Sequence, residues 1–378
     1  MRFPEVTLQG NSYEIGEQIG RFFKAQIRES LQHWMNPEKV EQISILAQQY
    51  RSIIHSMDPS YMKEIEGIQA GAGLAEWEAL YLHSRWEINE VLEDGDKVEA
   101  SPSDAGCKNE GCSTFAFSRE MTSDANVYCG TNHDVSVWSR KQVSIIRMLP
   151  SDGPRLFMLA YPGSIALDGM NEHGLSLCGN SLYGINNQAG KASIPHGLFK
   201  RMLLRQQHVK ACIELARRLV SQGEIGFSGN FTVCDASGDM ACLELINGCL
   251  DVILPQSDKS CVVHTNHLQS QKTEMLAQQG DLSKSSNTVE RLEQMNRLVG
   301  SSGQEIDLGW IQTLLTDHEH YPRSICSHVS ENYHTAYSLI MLPKSREAWI
   351  TAGNPCENRY YKAATGLQDR EAKDEACV

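Results

Sequence analysis

The sequence predicts an α+β chain: a helical first third, then antiparallel sheets stacked as a sandwich and flanked by helices. Three observations carry that reading. Apolar residues recur at three- and four-residue spacing from Ser12 to about Glu93. Short alternating or β-branched runs, bounded by turn residues, dominate after Cys112. The elements come in blocks of strands, helices and strands, and not as alternating βαβ units. With 378 residues, 41% of them apolar, the chain can build a substantial core as one large domain or two smaller ones.

The helical third opens with "YEIGEQIGRFFKAQIRESLQHWM" and runs through further segments to Trp86-Glu87-Ile88. Asp58 is the expected N-cap of one of these, with Pro59 at the first helical position, where a missing N–H costs nothing. Residues 94 to 110, "DGDKVEASPSDAGCKNE", break the pattern with charge, Ser, Pro and Gly and read as an exposed linker. Strand runs follow: "STFAFSR", "NVYCGTN", "QVSIIRML", "RLFMLAY" and "GLSLCGN". One wide apolar stripe over about 196 to 221 predicts a single long helix. Strands resume with "NFTVCDA", "MACLELI", "CLDVILP" and "SCVVHTN", then helices near 287 to 299 and 307 to 316. A hairpin of "TAYSLIMLP" and "REAWITAG", turning around Lys344-Ser345, closes the pattern, and "DREAKDEACV" is a polar tail.

Composition narrows the class. A net charge of -13 with no basic block argues against nucleic-acid partners, because phosphate binding needs concentrated Lys and Arg. The N-terminus lacks the apolar core of a secretory signal, and no apolar run is long enough for a membrane span, so the expectation is a cytoplasmic protein without a membrane partner. Twelve cysteines without CxxC pairs fit reduced thiols better than a disulfide framework or a zinc ribbon.

Cys112 is the central chemical candidate because it heads the first strand directly after the linker. Cleavage of Gly111-Cys112 would expose it as an N-terminal residue carrying thiol and α-amine together, and an α-amine of ordinary pKa about 7.7 to 8.0 can serve as base toward that thiol. The thiol could first attack the Gly111 carbonyl, unobstructed by any side chain, to give a thioester that water hydrolyses. On spacing alone, a buried strand cysteine is the commoner identity for such a residue. If Ser123-Asp124 makes the turn, an antiparallel partner strand would return Asp134 to the start of the Cys112 strand, where its carboxylate could hold the Cys112 ammonium; an Asx turn is the competing use. "VVHTNH" delivers His264, Asn266 and His267 together, and an Asn amide there can donate to a developing oxyanion. Arg346 starts the last strand of the hairpin and Asn180 ends "SLCGN".

Two rival chemistries stay open. A papain-like site would pair Cys112 with His133 or His264, but the "CGSCW" type of signature is absent. A metal site could be drawn from Asp317, His318, His320 and His328, yet "DHEH" lacks the HExxH form, and no metal is expected.

"GCST", "NHD", "GMNEHGL" at 169 to 175, "HTNH" at 264 to 267, "HYPRSIC" at 320 to 326 and the terminal "REA" occur in the order seen in the isopenicillin N acyltransferase family, whose precursor start "LQGNSYEIGEQIG" also resembles. The likeness covers nearly the whole chain. It implies a four-layer αββα N-terminal-nucleophile hydrolase made as a precursor that cuts itself, here into residues 1–111 and 112–378, which stay together as an αβ heterodimer. The resemblance assigns Cys112 as nucleophile with its own amine as base, Asp134 as the group positioning it, Asn266 as oxyanion donor and Arg346 as the electrostatic partner near Asp134. Thr114 and Asn180 are expected to line the pocket. No cofactor is expected; the substrates would be a small-molecule acyl donor, a coenzyme A thioester among the candidates, and a small amine or water. Thr131, Asn132 and His133 precede Asp134 without an Arg, unlike the bile-salt and penicillin V hydrolases, and the "GCST" start also resembles the insect β-alanyl-dopamine hydrolase, which cleaves an amide. A non-catalytic binding protein of the same fold is the alternative outside the enzymes.

Overall fold

A computed structural model describes residues 2–95, 111–164, 166–182, 193–246, 248–255, 260–271, 287–303, 306–329 and 333–368. Most of the expected linker, residues 96–110, and the polar tail from residue 369 lie outside the described residues.

Helices α1 (Ser12–Phe22), α2 (Lys24–Trp34), α3 (Val40–Met57), α4 (Pro59–Ala72) and α5 (Glu76–Gly95) form the expected helical third. Asn11 caps α1 through a reciprocal capping box with Glu14, and Asp58 caps α4 by accepting from the Tyr61 N–H at 2.9 Å, with Pro59 in the first turn as expected. Helices α1 and α4 pack backbone to backbone. A Cβ at Gly16 would lie 2.0 Å from Glu64 O and one at Gly67 2.1 Å from Tyr13 O, so only glycine permits this approach.

The segment before Cys112 also supplies a strand not evident in the sequence. β1 (Glu5–Gly10) pairs in parallel with β4 (Ser144–Pro150) at the edge of the first sheet. That sheet has eight strands in the order β1, β4, β5 (Leu156–Ala160), β6 (Ala166–Asn171), β7 (Ser176–Ser181), β8 (Gly229–Cys234), β9 (Met240–Ile246), β10 (Cys249–Ile253). The second has six: β11 (Cys261–His264), β2 (Ser113–Phe117), β3 (Tyr128–Ser136, followed by the short helix α6, Val137–Lys141), β12 (Tyr333–Leu342), β13 (Glu347–Ala352) and β14 (Tyr361–Ala363). β12 and β13 form the expected hairpin, with Leu342 opposite Glu347.

Side-chain alternation sorts these sheets into layers. Ala116, Cys129, Phe157, Leu159, Cys242, Tyr337 and Leu339 fill the space between the two sheets. The opposite face of the first sheet, through Met158, Leu177, Phe231 and Leu243, packs on α1 to α5 and on α7 (His196–Leu204) and α8 (Val209–Ser221). The opposite face of the second, through Phe115, Phe117, Val263 and Ile340, packs on α9 (Thr288–Ser301) and α10 (Leu308–Leu315). The result is the αββα sandwich expected, and among the strands named above every pairing is antiparallel except β1 with β4.

The single helix expected over 196 to 221 is two. Asn171 Nδ2 takes the free carbonyls of Leu204 and Gln206 at the end of α7, and Asp235 Oδ2 accepts from the Val209 N–H at the start of α8. The apolar stripe continues across the break because both helices lie on the same sheet face, so periodicity could not reveal it.

Buried ion pairs tie the segment before Cys112 to the rest. Glu64 on α4 receives both arms of Arg201 on α7, at 2.9 and 2.8 Å, and Asp58 receives Arg205.

Candidate active site

β2 and β3 pair antiparallel with Ser113 opposite Asn132, and continuing that register brings Cys112 to His133 and Gly111 to Asp134. The turn around Ser123-Asp124 therefore returns the chain to the Cys112 position as anticipated. Cys112 is buried, with Sγ 3.6 Å from His133 Nδ1. The same nitrogen lies 3.5 Å from Asp168 Oδ2. Asp168 also accepts from Tyr337 Oη and, at 3.0 Å, from the Gly179 N–H, while Tyr337 stacks on His133 with ring centroids 4.7 Å apart.

These groups perturb one another. Burial pushes His133 toward neutrality, but the charge of Cys112 and the hydrogen bond to Asp168 outweigh it and raise His133 to about 10. Burial alone would raise Asp168; its hydrogen bond and attraction to His133, the charge of Lys200 and the Tyr337 hydroxyl hold it below the ordinary carboxylate value. Lys200, buried with Nζ on Leu167 O at 3.0 Å, is lowered by desolvation against the pull of Asp168 and Cys112.

Successive residues on β3 face opposite ways, so Asp134 lies on the α9 side, across the sheet from His133. Its Oδ1 accepts from Thr335 Oγ1 at 2.7 Å, and Tyr333 Oη donates to its backbone carbonyl at 2.9 Å. Desolvation raises Asp134 to about 7, against the lowering influence of Arg291, Thr335 and His133.

Arg291 on α9 occupies the position expected of Arg346. Its Nη1 donates to Cys112 O and to Ser113 Oγ, both at 2.8 Å, and its Nη2 donates to Asn266 Oδ1 at 2.9 Å. That contact fixes the orientation of the Asn266 amide. Its Nδ2 donates to Ser181 O at 2.8 Å. The Asn266 backbone N–H is held by Thr288 Oγ1 in the first turn of α9. Gly111 packs directly on the Asn266 side chain: a Cβ there would lie 2.1 Å from Oδ1.

Arg346 is not part of this group. It sits in the β12–β13 turn with φ +56°, its Nε donating to Glu172 O at 2.5 Å. Asp134 pairs with Thr335, whereas the turn begins after Leu342, seven residues further along β12 and roughly 23 Å away at about 3.3 Å per residue. The expectation for Arg346 is corrected by that register. His264 is also excluded from Cys112, because its Nε2 pairs with buried Glu244 at 2.7 Å and its Nδ1 faces Thr265 O at 2.9 Å.

Thr114 and Asn180 do come together, Asn180 Nδ2 donating to Thr114 Oγ1 at 3.0 Å and to Asn230 Oδ1 at 2.8 Å. Among the described residues, the buried Asn180 Oδ1 has no hydrogen-bond partner. Asp168, Tyr337 and Arg291 join this group without a sequence motif that singles them out. Asp168 immediately precedes "GMNEHGL", and Arg291 had no signal beyond a polar place on a helix.

Residues 121–357 match the family model described as acyl-coenzyme A:6-aminopenicillanic acid acyl-transferase. The chain belongs to this family. The matched segment contains Asp134, Asp168, Asn266 and Arg291, while Cys112 lies just before it. No curated protein matches the sequence. Among solved structures, the chain is similar to a variant of conjugated bile acid hydrolase from Clostridium perfringens, with 16% identity and a TM-score of 0.48 over 68% of this chain and 94% of that one. It is also similar to penicillin V acylase from Agrobacterium tumefaciens, with 13% identity and a TM-score of 0.41 over 64% of this chain and 83% of that one.

Proposed function

We propose that the protein is a self-processing cysteine acyltransferase or amidohydrolase that works through an acyl-Cys112 intermediate. The observation that carries this reading is Gly111 packed against Asn266, with the Cys112 thiol beside His133 and the Cys112 carbonyl held by Arg291. In the intact chain the Cys112 nitrogen is an amide and cannot act as a base. His133 takes the thiol proton instead, Sγ attacks the Gly111 carbonyl carbon, and Asn266 Nδ2 donates to the oxyanion. The C–N bond breaks as the proton passes to the leaving amine. Water then hydrolyses the Gly111 thioester, leaving residues 1–111 and 112–378 associated.

In turnover the freed α-amine is the base and Asp134 holds it in place. The thiol attacks a thioester or amide donor, the coenzyme A thiol or an amine departs with the proton, and a small amine or water resolves the acyl-enzyme. Asn180 Oδ1, beside Thr114 and without a partner among the described residues, suits an N–H of the donor. The proposed setting for these small-molecule substrates is the cytoplasm; among the described residues no helix is long and apolar enough to cross a membrane.

The test is peptide mass mapping of the purified protein, followed by a screen of acyl donors with and without coenzyme A. A new N-terminus at Cys112, absent in Cys112→Ala, is expected. An uncut, folded parent chain would instead favour a binding protein of the same fold, and cutting that persists in Cys112→Ala would assign the cleavage to an outside protease.

A further inference from the structure

Beyond Asp134, the connection from α10 to β12 meets the turn that follows β13 and gathers four metal-binding side chains. His318 Nε2 lies 3.3 Å from His328 Nε2, and Cys326 Sγ lies 3.5 Å from Cys356 Sγ. His328 Nε2 is 3.5 Å from Cys326 Sγ and 3.2 Å from Cys356 Sγ, and the ligand atoms of all four residues fall within 4.8 Å of one another. We propose that His318, Cys326, His328 and Cys356 form a structural zinc site.

The distances carry the assignment. A tetrahedral zinc with Zn–S about 2.3 Å and Zn–N about 2.05 Å separates its ligands by roughly 3.3 Å for N to N, 3.6 Å for N to S and 3.8 Å for S to S. The four separations given above fall within a few tenths of an ångström of that tetrahedron, and the distances from His318 to the two sulfurs stay within 4.8 Å. A disulfide does not explain them, since bonded sulfurs sit about 2.05 Å apart and both cysteines are free thiols. Two sulfurs and two imidazoles at tetrahedral spacing are the donor set that selects zinc over the hard divalent cations. On binding, the two thiols lose their protons to solvent, and the two thiolates neutralise the ion.

The surroundings hold these ligands in place. Asn354 Nδ2 lies 3.6 Å from Cys326 Sγ and donates to Ser327 O at 2.7 Å, while Glu357 Oε1 lies 4.0 Å from His328 Nδ1, the nitrogen turned away from the cluster. Backbone bonds from Cys326 N to Asp317 O and from His328 N to Pro322 O fold the loop back on itself. Of the metal ligands considered from sequence, His318 and His328 take part. Asp317 instead accepts from Gln294 Nε2 and the Glu319 N–H.

The site bears on Asp134 through Ser327 and Thr335. The N–H of Ser327, between two of the ligands, donates to Thr335 Oγ1 at 2.9 Å, and the same hydroxyl donates to Asp134 Oδ1. Asn132 Nδ2 holds Ile325 O at 2.8 Å and Leu315 O at 2.9 Å. The zinc clip thus anchors the loop that positions the Asp134 carboxylate, and its existence does not depend on what Cys112 does.

The full chain, purified without chelator, is assayed for zinc by plasma mass spectrometry, and metal-stripped protein is titrated with Co2+. About one zinc per chain is expected, with Co2+ giving intense visible d–d bands and thiolate charge transfer. Both signals should be lost in Cys356→Ser and His318→Ala, whose exposed side chains leave the core untouched, and kept in Cys249→Ser on β10. The proposal is overturned by absence of both zinc and cobalt bands, by equal zinc in Cys356→Ser, or by a Cys326–Cys356 disulfide in the freshly purified protein.

Discussion

Cys112 Sγ and His133 Nδ1 face each other at 3.6 Å across the first two strands of the second sheet, and Asp168 anchors the imidazole from the first sheet. Because the α-amine does not exist before cleavage, His133 should matter most to the first reaction. His133→Ala is expected to slow cutting at Gly111-Cys112 by roughly 10² to 10⁴-fold, the usual contribution of a positioned base, while material already cut retains more of its turnover. Cleavage time courses on gels measure this, and equal rates in variant and parent would remove His133 from the step.

Asp134 predicts a pH dependence of stability in the uncut chain, obtainable as Cys112→Ala. Its folded-state value of about 7 lies above the ordinary 3.8. Between those values the folded state holds a proton that the unfolded state has lost, so stability falls as pH rises from about 4 to about 7. At about 1.4 kcal/mol per unit the loss is of order 4 kcal/mol, and adding Asp134→Asn should flatten it. Denaturant midpoints across that range are the measurement; an unchanged slope after the Asn substitution would rule out Asp134 as its source.

The two arginines separate cleanly. Arg291→Gln removes the donors to Cys112 O and Asn266 Oδ1 and is expected to lower kcat by about 10² to 10³, the scale for disturbing an oxyanion site. Arg346→Ala, at the far turn, should stay within about threefold of the parent. The opposite ranking in steady-state kinetics would restore Arg346 to the site.

Glu64 and Arg201 test what holds the two segments together. Glu64→Gln leaves the buried Arg201 charge without its carboxylate, a loss of about 3 to 5 kcal/mol in comparable pairs. The denaturant midpoint should drop accordingly, and the cut protein should release residues 1–111 more readily on size exclusion. A midpoint within error of the parent would show that the pair contributes nothing to association.

Sequence patterns revealed the strands with strong alternation, the capped helices and the β12–β13 hairpin, because those signals are local. They did not reveal β6, "ALDGMN", whose Asp and Gly are depleted in strands, and Asp168 was lost with it. β1 was similarly hidden, since its short edge segment is specified by pairing with β4 and not by its own pattern.

The sequence by itself determined the layer composition, the placement of Cys112 at a strand start after Gly111, and the return of Asp134 beside it, all of which follow from periodicity and one turn. Only the tertiary structure decided which arginine reaches Cys112, that His133 and Asp168 meet at its thiol, and that His318, Cys326, His328 and Cys356 converge. Those contacts join residues far apart in the chain, and their distances depend on strand register and helix docking, which no local pattern encodes.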